Sequence, residues 1–274
     1  LSQPPQKPSW LLWKHCQHKA FRLKFGERKR PGASGKHGGG SMWNHQLTPN
    51  RGDLPPFYAV LDLETCNPPA EEIEIEKRYA ATGHLKDPAK IAAKKDGLKL
   101  ATTDSAPIWC AGLKTKTGFL SLSQAVLTAD ERRALTCLGW QVMTFSSEFD
   151  LLTMYAIQLS FLPENSRLIA AGDFDLHKSK FRFARHALPI PPQLFLFKYT
   201  DLMRKWQDVT LSDKLYVSVE EMCLKLAIHF ENGLTGAEIP EAIQAGRHFE
   251  VLMKNYKDCL HEEQIAHRLL TGKL

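Results

Sequence analysis

Apolar positions in this chain fall into short blocks separated by turn residues. The block Phe57, Tyr58, Ala59, Val60, Leu61 rises to Asp62, Leu63, Glu64 and Thr65. A run of Tyr, Val and Leu this short predicts a buried central strand. Residues 108–113 and 119–122 are apolar and flank Lys114, Thr115, Lys116, Thr117 and Gly118, which predicts a hairpin. A further strand is expected over 140–145 and a short buried one over 167–171. Between them, Ser146 or Ser147 is placed to cap a helix with Phe149, Leu152, Ala156 and Leu159 on one face. A helical pattern runs from Asp175 to Leu188. Asp87 and Pro88 open a short helix with Pro at its first position. Ser218, Val219, Glu220 and Glu221 form a capping-box pattern for a helix through Ile228. Residues 238–270 read as helical with a break near Gly246. Three strands, then helix and strand, predict an α/β (α+β) layout around one sheet.

Composition adds limits. Hydrophobic content of 43% and charged content of 24% are ordinary for a soluble globular protein, and no apolar run approaches a membrane span. The cysteines at 16, 66, 110, 137, 223 and 259 are scattered without a C-x-x-C. That spacing argues against a zinc site or disulfide framework and predicts a reducing, cytoplasmic setting. Charge is uneven. Residues 1–55 carry ten Lys/Arg against two acids, a net of +8, while the rest carries 26 against 28, a net of −2. The first segment also holds Pro4, Pro5, Pro8, the basic run Arg28, Lys29, Arg30, and Gly38, Gly39, Gly40. It reads as a disordered basic tail, leaving 56–274 as the folded domain. Met42 offers an alternative start, so residues 1–41 are expected to be dispensable.

The candidate chemistry begins at the first strand. Side chains alternate faces along a strand, so Asp62 and Glu64 point the same way. Adjacent carboxylates at a buried strand end repel and lose hydration unless a cation joins them. Hard ions such as Mg²⁺ or Mn²⁺ suit such oxygen ligands; the plainer alternative is two acids facing water. A second acid, Asp175, lies in the first turn of its helix, where it is either a ligand or a cap. On the same helix Lys178, Arg182 and Arg185 share one face, suited to phosphate or simply to solvent. A third acid, Asp258, lies in the last helix shortly after Tyr256.

Taken in order, Asp62-x-Glu64 on the first strand, Phe174-Asp175 opening a mid-chain helix, and an Asp after a Tyr on the last helix resemble the DEDD superfamily of 3′–5′ exonucleases. The nearest likeness is to predicted exonucleases related to the proofreading domain of family B DNA polymerases. Further segments that resemble the family are 87–91, 147–152, Arg182-x-x-Arg185 with its continuation to Pro192, 199–203 and 217–223. The resemblance spans about residues 57–270. It implies an RNase H-like (DnaQ-like) central mixed sheet flanked by helices. It also implies two Mg²⁺ or Mn²⁺ ions held by Asp62, Glu64, Asp175 and Asp258, and hydrolysis of phosphodiester bonds at single-stranded 3′ ends.

The substrate implied is single-stranded DNA; no residue reports on a 2′-OH to separate it from RNA. The family places its catalytic Tyr four residues before the last Asp, or a His five before. Here Tyr256 stands two before Asp258, Lys254 stands at minus four and Met253 at minus five. Tyr256 is the favoured water-orienting group and His261 the second candidate. A rival expectation is a catalytically weak or inactive nucleic-acid-binding protein that keeps the fold.

Overall fold

The computed structural model describes residues 54–80, 85–97, 102–196, 198–210, 216–231 and 233–271. Residues 1–53 of the predicted basic tail, Met42 among them, lie outside the described residues. The architecture is a mixed α/β one, a six-stranded mixed sheet flanked by helices. The strands are β1 (Tyr58–Thr65), β2 (Ile108–Thr115), β3 (Gly118–Ser123), β4 (Trp140–Thr144), β5 (Arg167–Ala170) and β6 (Lys198–Asp201), ordered β4-β3-β2-β1-β5-β6. β2 runs antiparallel to β1 and β3, while β4 is parallel to β3 and β5 is parallel to β1 and β6. The expected hairpin is present: Thr115 pairs with Gly118, so the turn is only two residues long.

Helices follow the signals that end and start them. α1 (Ala70–Tyr79) has no side-chain cap, but Glu71 and Glu72 in its first turn and Lys77 and Arg78 in its last oppose its dipole. α2 (Pro88–Asp96) is capped by Asp87, whose carboxylate accepts from the Ala89 N–H at 2.9 Å. α3 (Ala129–Cys137) starts with a full capping box between Thr128 and Glu131. Ser147 caps α4 (Glu148–Ser160) by accepting from the Asp150 N–H. α5 (Phe174–Arg185), the short α6 (Gln193–Leu196) and α7 (Leu202–Thr210) follow. Ser218 caps α8 (Val219–Lys225), and α9 (Ile239–Gln244) precedes α10 (His248–Thr271). The expected break at Gly246 is real: its φ of 73° is the left-handed conformation that glycine adopts without penalty.

The alternation along β1 divides the core in two. Ala59, Leu61 and Leu63 pack with Leu151, Leu152, Tyr155, Leu159 and Phe183 from α4 and α5. Tyr58 and Val60 pack on the other face with Trp206 of α7, Met222 and Cys223 of α8, and Val251, Leu252, Cys259 and Ile265 of α10. Each fully buried Leu or Ile contributes about 1.5–3 kcal/mol of transfer free energy. Asp62 and Glu64 extend the Tyr58–Val60 face, so it is α10 that meets them. Among the described residues no helix is long and apolar enough to cross a membrane.

Candidate functional site

The site is built where β1 meets α10. Carboxylate oxygens of Asp62, Glu64 and Asp258 lie within 4.8 Å of one another. Lys254 stands one helical turn before Asp258, so both project to the same face. Its ammonium donates to Glu64 Oε1 at 2.8 Å and to Asp258 Oδ2. Asn255, fully buried, donates through Nδ2 to Asp62 Oδ2 at 2.7 Å and to the Asp62 carbonyl at 3.1 Å. Its Oδ1 accepts from the Cys110 thiol at 3.6 Å, which fixes the amide's orientation. Gly112 pairs with Asp62 across the ladder, and a Cβ there would collide with Asn255 Oδ1. The glycine therefore lets helix and strand approach closely enough for Asn255 to reach Asp62.

Asp175 joins from α5. The β1–β5 ladder covers only Tyr58, Ala59 and Val60. Beyond it the Leu63 N–H is donated to the Asp175 carboxylate. Asp175 is 6% exposed and lies within electrostatic reach of Glu64, Asp62 and Asp258. Burial, with the Glu64 charge adding, pushes its pKa up to about 8. Burial also raises Asp62 well above the carboxylate range, reinforced by Glu64 and Asp258. Glu64 is raised by burial even though Lys254 pulls the other way. Burial opposes charge on Lys254, but Glu64, Asp62 and Asp258 hold its ammonium far above the usual lysine value. The result is a crowded acidic cluster in which burial and mutual repulsion oppose ionisation while one ammonium favours it.

Glu262, one turn past Asp258, belongs to the same region. It is 1% exposed, its Oε2 has no hydrogen-bond partner, and it interacts electrostatically with Asp62, Asp175 and Asp258. Burial, then those three charges, raise its pKa well above the usual range. An all-oxygen set with an orphaned carboxylate oxygen fits a hard divalent cation.

The remaining sequence candidates fall elsewhere. Tyr256 does not face the acids: its ring lies 5.0 Å from Phe119 and 4.4 Å from Trp140, centroid to centroid. Residues two apart on a helix diverge by about 200°, so Tyr256 and Asp258 could not share a face. His261 rests on Phe230 at 4.7 Å, near Asp258 and Glu231, with Nδ1 buried and unpartnered. It flanks Asp258 without joining the acidic trio, and burial lowers its pKa.

The presumed phosphate-binding face of α5 is spent inside the protein. Lys178, 1% exposed, donates to the Thr103 and Asp104 carbonyls. Arg182 forms a two-pronged pair with Glu148, with Nε at 2.8 Å from Oε1, and donates to the Ser105 carbonyl at 3.0 Å. Arg185 pairs with Glu72. These three side chains hold α5 to the segment before β2, to α4 and to α1, because each finds an acceptor within the protein.

Sequence reading missed Asn255 and Glu262 and set Lys254 aside. A signal was present: both fall in the apolar stripe of α10 with Val251, Cys259, Ala266 and Leu269, where a polar residue needs a partner. No protein-family model matches this chain, and no curated protein matches it.

Proposed function

We propose that the chain is a metal-dependent 3′–5′ exonuclease acting on single-stranded 3′ ends, DNA in the first instance. The observation that carries this is the convergence of Asp62, Glu64 and Asp258 within 4.8 Å from elements nearly 200 residues apart, with Asp175 beside them. These are the four acids of the DEDD resemblance, and the mixed sheet flanked by helices is the setting that resemblance implies.

Asp62, Glu64, Asp175 and Asp258 would hold Mg²⁺ or Mn²⁺. A divalent ion bound there supplies an acidified water and charge stabilisation for the departing oxygen. Asn255 holds the Asp62 carboxylate in place. Tyr256 is occupied in the aromatic core, so His261, beside Asp258, is the better placed group to take a proton from water. Phe174, adjacent to Asp175 and 41% exposed, offers an apolar face for an unstacked terminal base. The scattered cysteines, without a C-x-x-C, are the support for a reducing, cytoplasmic setting.

Lys254 favours a second reading, a nucleic-acid-binding protein in which the ammonium permanently fills the cation position. One experiment separates them: a 3′-labelled single-stranded oligonucleotide incubated with Mn²⁺ or Mg²⁺. Metal-dependent release of labelled mononucleotide, abolished by EDTA and by Asp62→Asn, supports the exonuclease. Binding without release at any metal concentration supports the second reading.

A further inference from the structure

Carboxylate oxygens of Asp62, Glu64 and Asp258 lie within 4.8 Å of one another. Opposite oxygens around a bound Mg²⁺ are about 4.2 Å apart, so an ion touching all three acids sits in the space between them. Lys254 already bonds two of the three. Its Nζ donates to Glu64 Oε1 at 2.8 Å and to Asp258 Oδ2. Asp62 is supplied separately, its Oδ2 receiving the Asn255 amide at 2.7 Å. The ammonium and a divalent ion therefore draw on the same two carboxylates, and like charges this close repel. The lysine has room to leave. Its side chain is 14% exposed and that of Asp258 is 23% exposed, so this edge of the cluster opens to solvent. A flexible four-carbon stem with rotatable donors can carry the ammonium there.

We propose that Lys254 is a displaceable internal counter-ion: it holds Glu64 and Asp258 before metal binds, and a divalent ion enters only as the ammonium swings out to the exposed edge. Lys254 thereby sets the metal concentration at which the site fills. If the uncovered state is populated about a tenth of the time or less, the ion binds at least about tenfold more weakly than to the ligands alone. This deepens the exonuclease reading and rests on its ligand set of Asp62, Glu64, Asp175 and Asp258, to which it adds no ligand, and it is measured without substrate.

The full 274-residue chain, stripped with EDTA, is titrated with Mn²⁺ alone by electron paramagnetic resonance, and thermal melts are run with and without the ion. Lys254→Met should bind Mn²⁺ at least about tenfold tighter than wild type. Saturating Mn²⁺ should also raise its Tm by more than it raises the wild-type Tm, because the ion then supplies a missing charge instead of replacing one. Lys254→Arg, which keeps the charge, should not tighten. Lys257→Met is the control for net charge: Lys257 lies on the same helix but pairs with Glu231 at 2.6 Å, and its loss should change the affinity by no more than about threefold. Lys254→Met leaves two acids unpaired and can fail to fold, so the wild-type ammonium is also followed directly. With lysine labelled at Nζ by a heavy nitrogen isotope, the NMR signal absent from Lys254→Arg should shift or disappear as Mg²⁺ binds. An ammonium signal unmoved by bound Mg²⁺, unchanged affinity in Lys254→Met, or equal tightening in Lys257→Met overturns the counter-ion proposal while leaving the exonuclease reading intact. Wild type that binds no ion also overturns it: binding by Lys254→Met alone then marks permanent occupancy by the ammonium, and binding by neither removes the metal site and the exonuclease reading with it.

Discussion

Arg182 separates a substrate-binding from a structural role more sharply than any other residue. Its guanidinium bonds both oxygens of Glu148 and the Ser105 carbonyl, and both side chains are under 10% exposed. Glu148 also accepts the Ile108 N–H at 2.6 Å and pairs with His186 Nε2 at 2.8 Å. Burial opposes the Glu148 charge, yet the His186 and Arg182 bonds hold its carboxyl below the usual value.

In Arg182→Met the carboxylate keeps only Ile108 and His186. Removing one partner of a buried pair costs about 3–5 kcal/mol. His186, partly exposed, can take a proton and offset some of this, which favours the lower end. For a domain of this size that lowers Tm by roughly 6–12 °C. The assay is thermal and urea unfolding of Arg182→Met, Glu148→Met and the double variant. The double should lose less than either single, since no unpaired charge remains. The structural role is refuted if Arg182→Met melts like wild type and instead binds single-stranded DNA more weakly with a shallower salt dependence.

Three further outcomes are expected. Gly112→Ala forces the new methyl against Asn255 Oδ1 and Phe119 Cε2, so stability should fall by about 1–3 kcal/mol and Mn²⁺ affinity should drop as Asn255 leaves Asp62; wild-type values for both in melting and titration would contradict it. Burial, aided by Arg182, depresses the Lys178 pKa from 10.5 to about 7. Between those values the unfolded chain binds a proton that the folded one does not, so stability is fully present above 10.5 and is lost as pH falls toward 7. Wild type should therefore gain on Lys178→Met as pH rises through this window, and parallel stability–pH curves would refute it. Tyr256→Phe should keep the nuclease rate and stay within about 0.5 kcal/mol of wild type; a rate loss of about a hundredfold or more would return Tyr256 to the chemistry.

The strand end was legible because β1 obeys a simple rule: period-two alternation puts Asp62 and Glu64 on one face whatever else the chain does. The hairpin and the Gly246 break were legible for the same kind of local reason. α1 was not, because its two isoleucines, Ile73 and Ile75, stand two apart, off the helical period. Spacing on α5 grouped Lys178, Arg182 and Arg185 correctly, yet it says nothing about which face is covered. Glu148 and Glu72, which draw two of them inward, come from α4 and α1, and no local pattern links those elements. On α10 the resemblance drew attention to Tyr256 by residue type, while helix geometry favoured position 254 and a lysine stood there.

The placement of α10 after every other described element has a consequence for the order of synthesis. Asp62 and Glu64 leave the ribosome early, and Asp175 follows. Lys254, Asn255, Asp258 and Glu262 all lie on the last helix. At about 5–20 residues per second, the stretch from Asp175 to Lys254 takes roughly 4–16 s to translate. Throughout that interval the nascent sheet carries its acids with no lysine to quiet them and no third wall to the pocket. Once α10 docks, the Lys254 ammonium reaches Glu64 and Asp258 and offsets part of that charge. The acidic cluster is therefore completed only by the last helix to be made.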